Sequence, residues 1–470
     1  MNKIDIHKLL VVVFSAILMI TFSGCEKNLD VSPDPSFGLN PNEAIKSADD
    51  MQKLLNSCYD ACANMMSGQF QVLSDLLGDD VTAPLNNDGN ATAVYNRSVA
   101  QFNGLTNSAY AQPYYTIYRV NVMDLYFEQV AFNAGEKERL QGEAAFLRAL
   151  CHFETVKMWA QPAGFTTDNS HLGIIERSRA KNEALLRTSV AENYNMIISD
   201  LQKATNLLPI NNGLYATKNG AKALLAKVYF TMGNYAAALP LLNEIVGAGY
   251  VLSDSLNRFK REEVESEIIF GFVTTNSAYD INSRGSVFKS NYRNDINIPV
   301  LGVSSELYNI ITADTSDKRK QFVTLINPGQ PNEIKASTKF NLNNFATPYL
   351  TLTDMLLMRA EIHAIQSNYT LAIADLGLIV KRAYGAGSAK LVSLSSLSGQ
   401  ALIDEVRLQR RLEMHLEGDR LTQSKRIGAF HAPTTIIRNA PWNCAGLVLQ
   451  FPASAGTVKG FVFNIEGGCN

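Results

Sequence analysis

The chain has 470 residues, 42 of them Lys or Arg and 44 Asp or Glu, for a formal net charge of −2, and 46% of it is apolar. Basic residues occur only in short pieces such as Lys318-Arg319-Lys320, so the clustered positive surface that nucleic acid binding needs is missing. The length suffices for a large core, and no Pro- or Ser-rich linker divides it.

The first predicted element is a signal. A charged start at Lys3 leads into an apolar stretch of 14 residues from Leu9 to Phe22, then Ser23-Gly24-Cys25. That is the layout of a bacterial lipoprotein export signal, with residues 1–24 removed and Cys25 the point of lipid attachment, a palmitate. The stretch is shorter than the roughly 18 to 20 residues that cross a bilayer, which argues against an uncleaved membrane helix. Residues 25–41 are polar and Pro-bearing, as suits a lipidated tether, and residues 42–470 read as a single domain.

Further along, the spacing of apolar residues predicts helices over Glu143 to Trp159, Ser189 to Leu208, Lys218 to Thr231, Tyr235 to Val246, Thr351 to Gln366, Thr370 to Ala383 and Leu402 to Glu417. Gly233 and Gly418 stand where helices should stop. Two stretches, about 79–106 and about 252–348, lack this period and are rich in Asn, Ser, Tyr and β-branched residues. They predict loops and short strands, and loops of such length in a helical body are commonly functional. Of the five cysteines beyond Cys25, Cys58 and Cys62 share one helix face, where bridging geometry is poor. Cys444 and Cys469 lie in an irregular tail that can close on itself, and the odd count leaves at least one thiol free; the pairing among Cys58, Cys62, Cys151, Cys444 and Cys469 stays open.

Two segments share one pattern. Setting Tyr235 against Tyr369 puts Ala226 opposite Ala360, Ala238 opposite Ala372, Leu242 opposite Leu376 and Ile245 opposite Ile379, with Gly233 facing Ser367. This is tetratricopeptide spacing, in which small residues let paired helices approach. The copies, within about 138–250 and about 349–420, are separated by the second aperiodic stretch, so the predicted fold is mainly α, an interrupted tetratricopeptide-like repeat scaffold with long loop and short-strand insertions.

Four stretches carry a resemblance. Gly142-Glu143-Ala144-Ala145-Phe146-Leu147-Arg148-Ala149, the segment Thr217 to Ile245, Tyr349 to Glu361 with Asp354, Leu356, Leu357, Ala360 and Glu361, and Arg410-Arg411-Leu412-Glu413-Met414-His415-Leu416-Glu417-Gly418-Asp419-Arg420 resemble, in this order, the motifs of the SusD/RagB family. After Gly418 and in the C-terminal tail that carries Cys469 the chain departs from the family pattern. The resemblance implies an outer-membrane, surface-exposed, lipid-anchored protein that binds an oligosaccharide nutrient and delivers it to a SusC-like TonB-dependent transporter. It also implies ligand contacts near Asp79 and Asp80.

Sugars are held by flat rings and by Asn, Asp and Arg side chains, and composition singles out Asp79, Asp80, Asn86, Asn87, Tyr95 and Arg97 in one loop and Tyr279, Asn282, Arg284, Tyr292 and Arg293 in the other, with Trp442 as a stacking platform. Each has an ordinary structural role as its alternative: Asn and Asp cap turns, and Tyr packs on its own loop. Trp159, closing a helix, is expected in the core. With only two Trp in the chain, a peptide ligand, as in the RagB branch, stays an alternative, and so does a scaffold that binds only proteins. Catalysis is not expected. No GxSxG, HExxH, Walker loop or GxGxxG occurs, the six His are scattered, and Glu413, His415, Glu417 and Asp419 read as an ion network, so neither cofactor nor metal is expected.

Overall fold

A computed structural model describes residues 45–181, 183–259, 266–273, 285–342 and 345–469. The export signal, Cys25, the tether, Tyr279, Asn282 and Arg284 lie outside the described residues.

In chain order the first helices are α1 (Ala48–Met65), α2 (Gln69–Leu77), α3 (Gly89–Tyr95), α4 (Gly104–Tyr126) and α5 (Glu136–Trp159). The strands β1 (Leu172–Ile175) and β2 (Arg187–Ser189) pair antiparallel and lead into α6 (Val190–Leu207), α7 (Lys218–Thr231) and α8 (Tyr235–Val246). The insertion holds β3 (Ile268–Phe272), α9 (Ser286–Tyr292), α10 (Ser305–Thr312), β4 (Val323–Ile326), β5 (Ile334–Ser337) and β6 (Thr347–Thr351). Then come α11 (Leu352–Ile365), α12 (Tyr369–Tyr384), α13 (Ala389–Ser393), α14 (Gly399–Met414), α15 (Asp419–Phe430), β7 (Ile436–Ile437) and β8 (Ala440–Pro441).

Local chemistry sets several of these boundaries. Ser47 and Asp50 form a capping box at the start of α1, and Ser189 and Glu192 form another at α6, each satisfying backbone N–H groups that have no partner inside the helix. Thr217 and Thr351 cap α7 and α11 through their hydroxyls. The seven helices read from the sequence are all present, within a few residues except at the start of α5, which begins seven residues earlier, at Glu136.

The helices pack in a continuous row: α4 on α5, α5 on α6, α6 on α7, α7 on α8, α8 on α11, and α11 on α12 and α14. The insertion between α8 and α11 therefore interrupts the sequence of the array and not its packing. The eight aligned positions Ala226, Ala238, Leu242, Ile245, Ala360, Ala372, Leu376 and Ile379 are all fully buried. Both hairpins turn through a left-handed residue, Gly233 at φ +71° in one and Ser367 at φ +63° in the other. Within the insertion β3 returns to pair with β6 at Ile268↔Thr351, and β4 pairs with β5. Short strands were expected there; the two short helices α9 and α10 were not.

The first aperiodic stretch differs more. Residues 79–106 are not one open loop: Val81 bridges Val303, the Asp88 carboxylate accepts from the N–H groups of Asn90 and Ala91 to start α3, and Asn103 caps α4. The longest exposed run is Leu85 to Asn90, with Ala83, Asn96, Ser98, Phe102 and Gly104 exposed singly. The tail closes through a Cys444–Cys469 disulfide, whereas Cys58, Cys62 and Cys151 are free and buried. Among the described residues no helix is long and apolar enough to cross a membrane.

Candidate functional site

The segment from Arg410 to Arg420, where α14 ends and α15 begins, is the electrostatic centre of the molecule. Arg410 pairs with Asp354 on α11 and with Asp419, both at 2.7 Å. Arg411 reaches Asp80 at 2.7 Å and Glu306 at 2.6 Å, and Arg420 grips both oxygens of Asp79 at 2.7 Å. Glu413 receives three guanidinium groups, Arg382 at 2.6 Å, Arg319 at 3.0 Å and Arg258 at 3.1 Å. Glu417 takes Arg258 at 2.6 Å and the ammonium of Lys339. Burial alone would raise the Glu413 carboxyl, yet the three arginines hold it at about 2. Asp354 is held at about 2 against its burial by Lys227 and Arg410. Glu413, Glu417 and Asp419 are thus members of a paired ion network, as expected, whereas His415, expected with them, is buried with Nδ1 2.8 Å from Leu412 O and joins no ion pair among the described residues. The network ties the insertion, through Arg258, Arg319 and Lys339, to α11, α12 and α14.

The same holds for the other motif residues. Arg148 forks onto Asp200 at 2.7 and 2.8 Å and also reaches Asp124, Glu143 accepts from the Tyr59 hydroxyl and from Arg139, and Glu361 joins Arg407 to Arg426. Each of these side chains is committed to holding helices together, which leaves ligand contact to residues outside the motifs.

The network also fixes a loop edge. With Asp79 and Asp80 tied to Arg420 and Arg411, the backbone that follows runs beside the end of the insertion: Thr82 donates its N–H to Gly302 O at 2.9 Å, and Leu85 donates to Val300 O at 2.8 Å. The two loops singled out from composition therefore meet in space. Asn86 and Asn87 stand exposed at the tip of the first, with Asn87 at φ +57°, a left-handed conformation that Asn tolerates. Arg293, paired with Asp295 at 2.6 and 2.9 Å, lies on the second.

Other candidates sit inward, each held by partners of its own. Asp80 is a buried anchor and Asp79, its side chain 10% exposed, a half-buried one. Tyr292 is fully buried and donates its hydroxyl to Asp75 at 2.7 Å. Arg97 is buried and donates to the carbonyls of Leu77 and Arg438. Trp442 is 6% exposed, packed against Gly428 with Nε1 donating to Pro433 O at 3.1 Å, so it offers no platform in this conformation. Tyr95 is half-buried beneath the Arg438 guanidinium, 3.7 Å from its ring centroid. Trp159 is in the core, as expected. The sequence reading missed Leu85, Ile296 and Ile298, which are 44%, 64% and 65% exposed along the same edge. Their type gave no signal, since lone aliphatics in a loop are ordinary. Among the described residues no group of three or more His, Cys, Asp or Glu is placed to hold a metal ion.

Comparison with known proteins adds the following. A family profile described as "Starch-binding associating with outer membrane" matches residues 27–230, and one described as "SusD family" matches residues 303–446. The fold is similar to a SusD superfamily protein from Bacteroides vulgatus, at 18% identity and a TM-score of 0.77 over 89% of this chain and 99% of that one. A SusD superfamily protein from Bacteroides thetaiotaomicron gives 20% identity and a TM-score of 0.77 over 89% and 100%. A structure titled "Laminarin binding SusD-like protein" gives 19% identity and a TM-score of 0.69 over 89% and 99%. No curated protein matches.

Proposed function

Because this chain belongs to the SusD/RagB family, whose members are carbohydrate-binding and associated with the outer membrane, we propose that it captures an oligosaccharide nutrient and passes it to a SusC-like TonB-dependent transporter, with no chemistry of its own. The observation that carries this reading is the loop edge: two polar, exposed loops from distant parts of the chain are hydrogen-bonded side by side and clamped from beneath by Arg411 and Arg420. A rigid base under an adaptable rim suits capture with ready release. Asn86, Asn87 and Arg293 supply the contacts to sugar hydroxyls; Asp79, Asp80, Arg97 and Tyr292 position the loops that carry them. Lipidation at Cys25 holds the body at the outer surface of the membrane.

A second reading has its own support. Leu85, Ile296 and Ile298 provide aliphatic patches where a sugar site would place flat rings, and aliphatic patches suit the side chains of a peptide. Binding of the purified protein to paired arrays of neutral oligosaccharides and of peptides decides between them. Saturable binding confined to glycans supports the proposal, and binding confined to peptides replaces it with the second reading.

A further inference from the structure

A large concavity lies away from this edge. A cleft of about 1030 Å³ runs along α4, walled opposite by residues 175–181 and 183–185 and closed at one end by residues 452–458. It shares no lining residue with the loops at 82–90 and 293–298. Its volume is at the upper end of the range usual for small-molecule sites.

The α4 wall is aromatic because of register. Tyr110, Tyr114 and Tyr118 recur every fourth residue, so they share one helix face at a rise of roughly 6 Å per step, with Tyr115 beside them. Two of them form a fixed floor: the rings of Tyr110 and Tyr114 lie 4.9 Å apart, their hydroxyls are joined at 3.2 Å, and Tyr114 donates on to Ile175 O at 2.8 Å. The other two stand free, Tyr115 and Tyr118 each being 56% exposed. Neighbouring exposed rings on a helix carry a solvation cost that a stacking ligand removes. At the same wall Asn107 has an amide oxygen with no hydrogen-bond partner among the described residues.

The facing wall is cationic. Arg177 has only a 3.4 Å contact from its guanidinium to Glu183 O, and Arg179 and Lys181 are exposed and form no ion pair among the described residues. Glu183 is the one acidic residue lining the cleft, against three cations. Arg148, Arg319, Arg410 and Arg411 are each paired with carboxylates at 2.7 to 3.0 Å, whereas these three cations stand without a carboxylate partner among the described residues, opposite a row of tyrosines. A ligand with flat apolar ring faces on one side and carboxylate groups on the other satisfies both walls.

We infer that this cleft is a second binding site, for oligosaccharides that carry carboxylate groups. The inference rests on the glycan-binding reading above and extends it to acidic sugars. Titration calorimetry of the full-length protein with a galacturonic acid tetramer, with a neutral glucose tetramer and with a glutamate tetrapeptide tests it. The acidic sugar is expected to bind, more weakly as salt rises. The double variants Arg179→Glu/Lys181→Glu and Tyr115→Ala/Tyr118→Ala should each weaken that binding about tenfold or more with an unchanged melting temperature, since all four side chains are exposed. Variants at Asn86 and Asn87 should leave it unchanged. Acidic-sugar binding that ignores both cleft variants overturns the assignment, and so does stronger binding of the glutamate peptide through the same residues. Binding of neutral glycans without any binding of the acidic one overturns this inference and leaves the glycan reading in place, whereas silence toward every glycan removes both.

Discussion

Replacing Glu413 by Gln isolates the ion network at almost constant volume. The side chain is buried and accepts from Arg382, Arg319 and Arg258 at 2.6 to 3.1 Å, so removing its charge leaves three guanidiniums sharing one neutral oxygen. Breaking a buried pair from one side costs about 3–5 kcal/mol. The carboxyl's own titration gives a second route: its drop from 4.5 to about 2 corresponds to about 3 kcal/mol of stabilisation of the charged form. The sign follows from the direction. A carboxyl depressed in the folded state contributes fully above its unfolded value of 4.5, and the contribution disappears as pH falls toward 2. Urea unfolding of the wild type and of Glu413→Gln, run from neutral pH down to the acid limit of folding, should show a gap of about 3 kcal/mol at neutral pH that narrows below pH about 4.5. A gap below about 0.5 kcal/mol at neutral pH, or one that does not change with acid, refutes the reasoning and reopens Glu413 for a functional role.

Two further outcomes follow from local geometry and one from the export signal. Ser367 holds a left-handed turn at φ +63° where the matching hairpin has Gly233, so Ser367→Gly should stabilise the fold by about 0.5–1 kcal/mol, seen as a raised melting temperature; a lowered one contradicts the turn assignment. A Cβ at Gly428 would stand 2.1 Å from Cγ of Trp442, so Gly428→Ala should cost about 1–3 kcal/mol and shift tryptophan emission to the red, while unchanged emission would contradict the packing. Cys25→Ala should release the protein from the membrane fraction without altering its melting temperature, and retention in the membrane pellet would count against lipid anchoring.

The fold was legible where a helix has one wet face. α7, α8 and α12 show their apolar residues every third or fourth position, whereas α11, buried along all but Arg359 and Ile365, was legible through its match to α7 in the repeat pattern; the sequence locates the ends of all four within a residue or two. Helix α2 escaped because almost all of it is buried, so no polar face marks its period. Helix α4 escaped because Pro113 and the exposed Tyr115 and Tyr118 blur its two faces. The site was legible in part. Loop composition led to the exposed Asn86 and Asn87 and to the half-buried Arg293 beside them, but could not separate them from Asp80 and Tyr292. The difference lies in partners far along the chain: Asp80 is 331 residues from Arg411, and Tyr292 is 217 residues from Asp75. Nothing local to either residue records those pairings.

The distinction between clamp and rim is the point on which the functional account turns. The dissociation constant of the bound glycan, measured for Asn86→Ala/Asn87→Ala/Arg293→Ala beside the wild type, tests it most directly. The account predicts about a tenfold or greater weakening; Asn86 and Asn87 are exposed, and the melting temperature reports separately any cost of losing Arg293, whose side chain is 16% exposed and paired with Asp295. An unchanged constant would contradict it and move the capture site away from the paired loops.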